Sequence, residues 1–217
     1  MAAFAVAPLE PMTPTPSASA LPLGFSTVPP GHIAAIVTSL EMQGPPALPA
    51  ARPFPDGMAL QPLVRPDCET YRGLYRAVGA EWLWFSRLTL SDGRLRAILD
   101  DPRVEILALR RDGTGLGLLE LDFRQPETCE LAFLGLIPGM LGQGLGRTLI
   151  NAAIETAWSR PIRRLWVHTC TFDHPGALGL YRRSGFTPCA VQVEVAPDPR
   201  LTGLLPRDCA PHVPLLA

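Results

Sequence analysis

Apolar and polar positions divide the chain into short segments of contrasting periodicity. His32–Leu40 (HIAAIVTSL) is apolar and β-branched and predicts a first strand, followed by a Pro-rich loop over 44–66. Asp67–Val78 predicts a helix, and Ser91-Asp92 predicts the cap of a second helix over 93–99. Val104–Leu109, Leu116–Phe123 and Glu130–Ile137 are strand-like, and Asp112-Gly113 supplies a hairpin turn between the first two. Further on, Leu145, Leu149, Ile150, Ala152, Ala153, Ile154 and Trp158 make a wide apolar surface, as a well-buried helix requires. Leu165–Cys170 is the next strand. A helix over 175–184 follows, with Pro175 in its first turn and Gly185 just past its end, and Val191–Val195 is a last strand. Hairpins that give way to alternating helices and strands predict an α/β fold on a mixed sheet.

At 217 residues and 47 % apolar composition, the chain suits one domain with an ample core. Proline divides it unevenly, with 14 of 25 in residues 1–66. Residues 1–30 read as a flexible Pro/Ala-rich extension, 31–65 as the first strand and its Pro-rich loop, and 66–217 as the catalytic or binding body. All 19 basic residues are Arg, which excludes a Schiff-base lysine, a lysine nucleophile and a P-loop lysine. A net charge of -1 gives no basis for nucleic-acid binding. Five cysteines without CxxC spacing speak against a zinc site or a disulfide framework and for a reducing cytoplasm. The N-terminal stretch lacks a basic region and is broken by Pro8, Glu10 and Pro11, so it does not read as a signal peptide, and no run reaches the ~18 apolar residues of a membrane helix. The expectation is a soluble, cytoplasmic protein without a metal; a homodimer is compatible with the sequence.

The most informative segment is the strand over 130–137, Pro138, and a turn with Gly142, Gly144 and Gly146 before Arg147 and a helix. Such a turn presents backbone N–H groups at a helix N-terminus, where the helix dipole also favours an anion, and glycines allow a diphosphate close to the main chain. The competing reading is a turn whose glycines only permit tight packing. A Walker A loop is excluded by the missing Lys. A dinucleotide fingerprint is excluded because Arg147 stands at its third glycine and Val167 at its acidic position.

Two motifs in the right order carry a family resemblance: Leu141-Gly142-Gln143-Gly144-Leu145-Gly146, and His174-Pro175-Gly176-Ala177-Leu178-Gly179-Leu180-Tyr181-Arg182-Arg183-Ser184-Gly185-Phe186. The chain resembles the GNAT acetyltransferase superfamily, whose R/Q-x-x-G-x-G/A turn and later Asn-x-x-Ala-x-x-x-Tyr-x-x-x-Gly-Phe signature these segments match. The stretch with His168 to Pro175 looks like that of a bacterial branch. The resemblance implies a mixed, mostly antiparallel twisted sheet flanked by helices, with acetyl-CoA as acyl-donor cosubstrate and a small-molecule or peptide amine as acceptor. It implies that the amides of Gly142, Gln143, Gly144, Leu145, Gly146 and Arg147 hold the pyrophosphate. It places an oxyanion donor among the backbone amides near Gly135, Leu136 and Ile137. Leu141 stands where the family has Arg or Gln, and His174 where it has the Asn that bonds the pantetheine arm.

Acetyl transfer to an amine needs a base, a polarised carbonyl and a proton for the leaving thiolate. Glu130 lies fourteen residues before Gly144, the spacing at which the histone-acetyltransferase branch carries its general base. Burial in the apolar run that follows would raise its pKa. The base position of another branch falls on Thr169, which cannot serve; Glu120 and Asp122 are fallbacks, expected to face water or the substrate amine. Tyr181 matches the family's general acid. His168 reads as a hydrogen-bonded core residue, and Cys170 as a nucleophile on paper only. Trp82-Leu83-Trp84-Phe85 fits either core or acceptor pocket. The pairs Arg110-Arg111, Arg163-Arg164 and Arg182-Arg183 read as solvated ends, one of them within reach of the coenzyme's ribose phosphate. The rival from another class is a non-catalytic acyl-CoA-binding sensor or interaction module.

Overall fold

The structure, a computed structural model, describes residues 21–47 and 53–216. The first twenty residues of the expected N-terminal extension lie outside them. Eleven elements follow in chain order: β1 His32–Met42, β2 Met58–Pro62, α1 Cys68–Gly79, α2 Asp92–Leu99, β3 Val104–Arg111, β4 Thr114–Asp122, β5 Thr128–Leu136, α3 Leu145–Trp158, β6 Arg164–Cys170, α4 Ala177–Arg183 and β7 Thr187–Pro197. The strands form one sheet in the order β2-β3-β4-β5-β6-β1-β7. Every pairing is antiparallel except β5 with β6.

Local chemistry explains most boundaries. Asp67 accepts a hydrogen bond from the Thr70 amide at 2.8 Å and caps α1, and the Ser91 hydroxyl accepts from Arg94 N–H at the start of α2. Asp112 and Gly113 both have positive φ, as a two-residue hairpin between β3 and β4 demands. Three features depart from the sequence reading. The Pro-rich loop contains the short strand β2, paired with β3 at the sheet edge. Pro175 precedes α4 rather than lying in its first turn, because Gly176 occupies the N-cap. The N-terminal strand does not stand apart from the body. β1 is inserted between β6 and β7, in register with His168 through Ser39 and with Val193 through Ile36. Its β-branched, apolar sequence suits such a central position.

Helices cover both faces. Leu145, Leu149, Ile150, Ala153 and Ile154 of α3 pack with Leu119, Leu121, Leu131 and Leu40 on one face. Tyr71, Tyr75 and Val78 of α1, Leu95 and Leu99 of α2, and Leu205, Cys209 and Val213 of the C-terminal segment pack on the other. Burial of this kind contributes about 25 cal/mol per Å² of apolar surface and fixes the sheet as the rigid platform of the site. Among the described residues no helix is long and apolar enough to cross a membrane, and no group of three metal-ligating side chains occurs.

Candidate active site

The parallel pairing of β5 with β6 lasts only from Thr128–Arg164 to Glu130–Trp166, while β5 stays on β4 as far as Leu136. Beyond Glu130 the two strands part, and a cleft of about 1010 Å³ opens between them. A register shift within β5 shapes its floor. Asp122 pairs with Glu130 but Glu120 pairs with Phe133, so Glu130 and Phe133, an odd number of residues apart, are turned to the same face. Where β5 ends, Ile137 N–H donates to Leu116 O at 3.0 Å. That bond removes Ile137 as an oxyanion donor. Alternation along the strand then turns the Leu136 amide away from β4, toward the gap, and Gly135 and Leu136 line the cleft, whereas Ile137 does not.

The glycine turn opens into the same cleft. Gly142 and Gly144 have φ of +76° and +79°, a conformation that favours glycine, and a Cβ at either would meet nothing within 4 Å. The turn is not filled by side chains. Gly144 is the N-cap of α3 and no side chain caps that helix, so its first amides point outward as an anion cradle; the Arg147 amide is the exception, because it donates to Gly144 O at 3.1 Å and leaves only the Arg147 side chain for a ligand. Gly142, Gly144, Gly146 and Arg147 line the cleft, and Arg183 approaches from α4. The side chains of Gln143 and Leu145 do not: Gln143 Nε2 donates back to Gly139 O at 3.0 Å, and Leu145 is buried in the core. Only their amides are available to a ligand. Cradle, cleft and two arginines fit the size and charge of a coenzyme A diphosphate.

Glu130 projects from β5 with its side chain 26 % exposed and one carboxylate oxygen 3.6 Å from His168 Nδ1. Burial, reinforced by the Asp122 carboxylate across the strand pair, pushes its pKa up to about 7. His168 points into the cleft instead of the core, and burial holds its pKa below the usual imidazole value, so it stays neutral beside Glu130. Tyr181 lies in the middle of α4 against the edge of the Phe186 ring. Burial keeps its phenol protonated far above the usual range. Glu130 and Tyr181 line the same cleft. His174 Nδ1 accepts the Gly176 N–H at 2.9 Å, which leaves Nε2–H as the donor facing the cleft. Burial raises the Cys170 thiol to about 11, and it holds no thiolate at neutral pH.

The fallback carboxylates are engaged elsewhere. Glu120 is fully buried, accepting from Tyr71 Oη at 2.5 Å and Arg87 Nη2 at 2.6 Å, so it does not face water. Asp122 is held by Arg124 through Nε and Nη2. The aromatic run 82–85 both packs and lines. Trp84 fits against β5 because residue 135 is glycine; a Cβ there would lie 3.0 Å from its Cη2. Trp84 Nε1 donates to Asp173 Oδ1 at 3.0 Å, while Asp173 Oδ2 accepts from Thr169 Oγ1 and Cys170 N–H. Asp173 thus ties the loop after α1 to the end of β6 across the cleft. Neither Asp173 nor Arg87 stood out in the sequence, because each acquires its place from partners far along the chain.

Sheet topology, splayed strands and glycine cradle together define an acyl-CoA N-acyltransferase fold. The sequence profile of the acetyltransferase (GNAT) family matches residues 72–186, more than half the chain, and the chain belongs to that family. It is 33 % identical over 111 residues to a mycothiol acetyltransferase of Beutenbergia cavernae, covering 49 % of this chain and 37 % of the relative. It is 29 % identical over 147 residues to the mycothiol acetyltransferase of Clavibacter michiganensis subsp. michiganensis, covering 66 % and 47 % respectively. The aligned parts thus amount to less than half the length of these curated relatives. Among solved structures, a protein assigned to the GNAT acetyltransferases from Novosphingobium aromaticivorans superposes with a TM-score of 0.53 at 18 % identity, over 78 % of this chain and 68 % of that one. A GCN5-related N-acetyltransferase from Sphaerobacter thermophilus gives 0.52 at 17 %, over 78 % and 52 %. These two similarities concern the fold.

Proposed function

We propose that the chain is an acetyl-CoA-dependent N-acetyltransferase that moves an acetyl group directly to a primary amine. The observation that carries this reading is the convergence of the glycine cradle, Glu130 and Tyr181 on one cleft between parted strands. The amides of 142–146, with the side chains of Arg147 and Arg183, hold the diphosphate, and His174 Nε2–H supports the pantetheine arm. The thioester then lies along β5, its carbonyl oxygen directed at the Leu136 amide. Glu130, poised near neutrality, accepts a proton from the acceptor ammonium, directly or through one water. The amine nitrogen forms a bond to the carbonyl carbon, negative charge passes to the oxygen at the Leu136 amide, and the C–S bond breaks. Tyr181 donates a hydrogen bond to the departing sulfur and passes it a proton, and the second proton shed by the new amide nitrogen restores the phenol. No acyl-enzyme forms, since Cys170 is protonated.

Calorimetry with acetyl-CoA, followed by a thiol-release assay over an amine panel, tests the whole reading. Micromolar binding with amine-dependent thiol release is expected. Tight binding without turnover for any amine would make the chain an acyl-CoA-binding module, and competition by ATP or NAD would make it a general nucleotide binder.

A further inference from the structure

Arg87 is the one cation at the acceptor end of the cleft whose setting exceeds what stability asks of it. Its side chain is 12 % exposed and rests on a fully buried carboxylate, Glu120. Its guanidinium lies 4.9 Å from the centroid of the Phe133 ring, which the register shift in β5 brings to the face that carries Glu130. The main chain is anchored as well: Arg87 N–H donates to Tyr75 Oη, which is paired with Ser86 Oγ at 3.2 Å. The guanidinium is therefore held by Glu120 and the Phe133 ring, and the backbone beneath it by Tyr75.

Held so firmly, it is still under-used. Glu120 takes one N–H of Nη2, and its second oxygen is occupied by Tyr71. Nε is buried with no hydrogen-bond partner, and no described residue accepts from Nη1. A buried donor left unpaired is costly, and such groups in native structures call for a function. Two other arginines, Arg72 and Arg110, have an unpartnered buried Nε, but only Arg87 lines the cleft. Arg124 beside it differs, because its Nε and Nη2 are both spent on Asp122. Nε is sealed from the cleft, so the N–H bonds left for a ligand are those of Nη1 and the second one of Nη2, an end-on pair on a planar, immobilised group that a carboxylate accepts at once.

We propose that Arg87 seats a carboxylate carried by the amine acceptor, so that the preferred substrates are amino acids or other amino-carboxylates. The proposal rests on the acetyltransferase reading and deepens it. The Arg87–Glu120 pair and its cross-strand neighbour Phe133 lie on the same face of the sheet as Glu130 and line the same cleft, so one end of the acceptor docks on Arg87 while its amine reaches the base. Glu120 acts as a positioning residue: it fixes the guanidinium and touches no substrate.

The test compares ω-amino acids of one to five methylenes with the matching amides, using the full-length chain. At least one acid should exceed its amide in kcat/KM by tenfold or more. In Arg87→Gln that ratio should fall to within twofold, the loss residing in the acceptor's KM, and Arg87→Lys should restore part of it. Because the single substitution strands a buried charge, the double variant Arg87→Gln/Glu120→Gln is made in parallel and should show the same lost preference. Calorimetry of the N-acetylated ω-amino acids against the CoA-loaded protein gives a second readout that needs no turnover: binding to the wild type that disappears in the double variant is expected. Equal rates for acids and amides at every length, or product binding that survives the double substitution, overturns the proposal. Failure of acetyl-CoA itself to bind would instead strike the acetyltransferase reading.

Discussion

In the proposed reaction Glu130 concentrates the base chemistry in one carboxyl group. With its pKa raised to about 7, kcat/KM should climb as pH rises through 7, and Glu130→Gln should abolish that limb along with most of the rate. The same shift bears on stability. A carboxyl that binds its proton more tightly when folded opposes folding once the pH exceeds the unfolded value, fully so above the folded one. Glu130→Gln should therefore stabilise the protein by about 3 kcal/mol above pH 7, and the gain should vanish below about pH 4.5; denaturant melts at pH 4, 6 and 8 measure it. Tyr181→Phe should lower kcat by roughly two to four orders of magnitude, the usual range for a lost proton donor, with KM for acetyl-CoA within about twofold. Equal loss in both would make the hydroxyl a binding group. These two residues could be singled out beforehand because each stands where the motifs of the resembled family carry a base and an acid. Glu120 could not be judged that way. Its partners, Tyr71 and Arg87, are 49 and 33 residues distant in sequence, and nothing along β4 tells a solvated carboxylate from a buried one.

At the scale of elements, the turn before α3 joins backbone conformation to ligand binding. Gly144→Ala would force an L side chain to φ +79°, a strain of roughly 1–2 kcal/mol, and set a methyl group at the mouth of the cradle. Affinity for CoA should weaken at least tenfold by calorimetry, while the melting temperature should drop by only a few degrees. The elements legible in the sequence are those whose determinants are local: helix α1, the Ser91 cap, the Asp112-Gly113 hairpin, the apolar face of α3 and the strand before the glycine turn. β2 escaped notice because a five-residue strand closed by Pro62 has almost no pattern of its own and exists through its pairing with β3. The start of α4 was misjudged because proline suits both the first turn of a helix and the residue ahead of a Gly N-cap. The parting of β5 from β6, on which the site depends, is a property of two strands and of neither alone.

For the molecule as a whole, the sheet depends on its N-terminal strand. Leu40 is fully buried between Val167 of β6 and the α3 layer. Leu40→Ala should cost about 2–5 kcal/mol in chemical denaturation, as much as a substitution in β4 or β5, because β1 belongs to the core. No sequence pattern announces that a strand at residue 32 belongs beside one at residue 197, since long-range pairing leaves no periodic trace. The arrangement also has a temporal consequence. A ribosome adding about 5–20 residues per second completes His32–Met42 some 10–30 seconds before Thr187–Pro197 emerges. For most of that interval, until Arg164–Cys170 is made, the nascent chain carries a β-branched ribbon with neither neighbour present, so a chaperone that shields the first strand would raise the yield of the native protein.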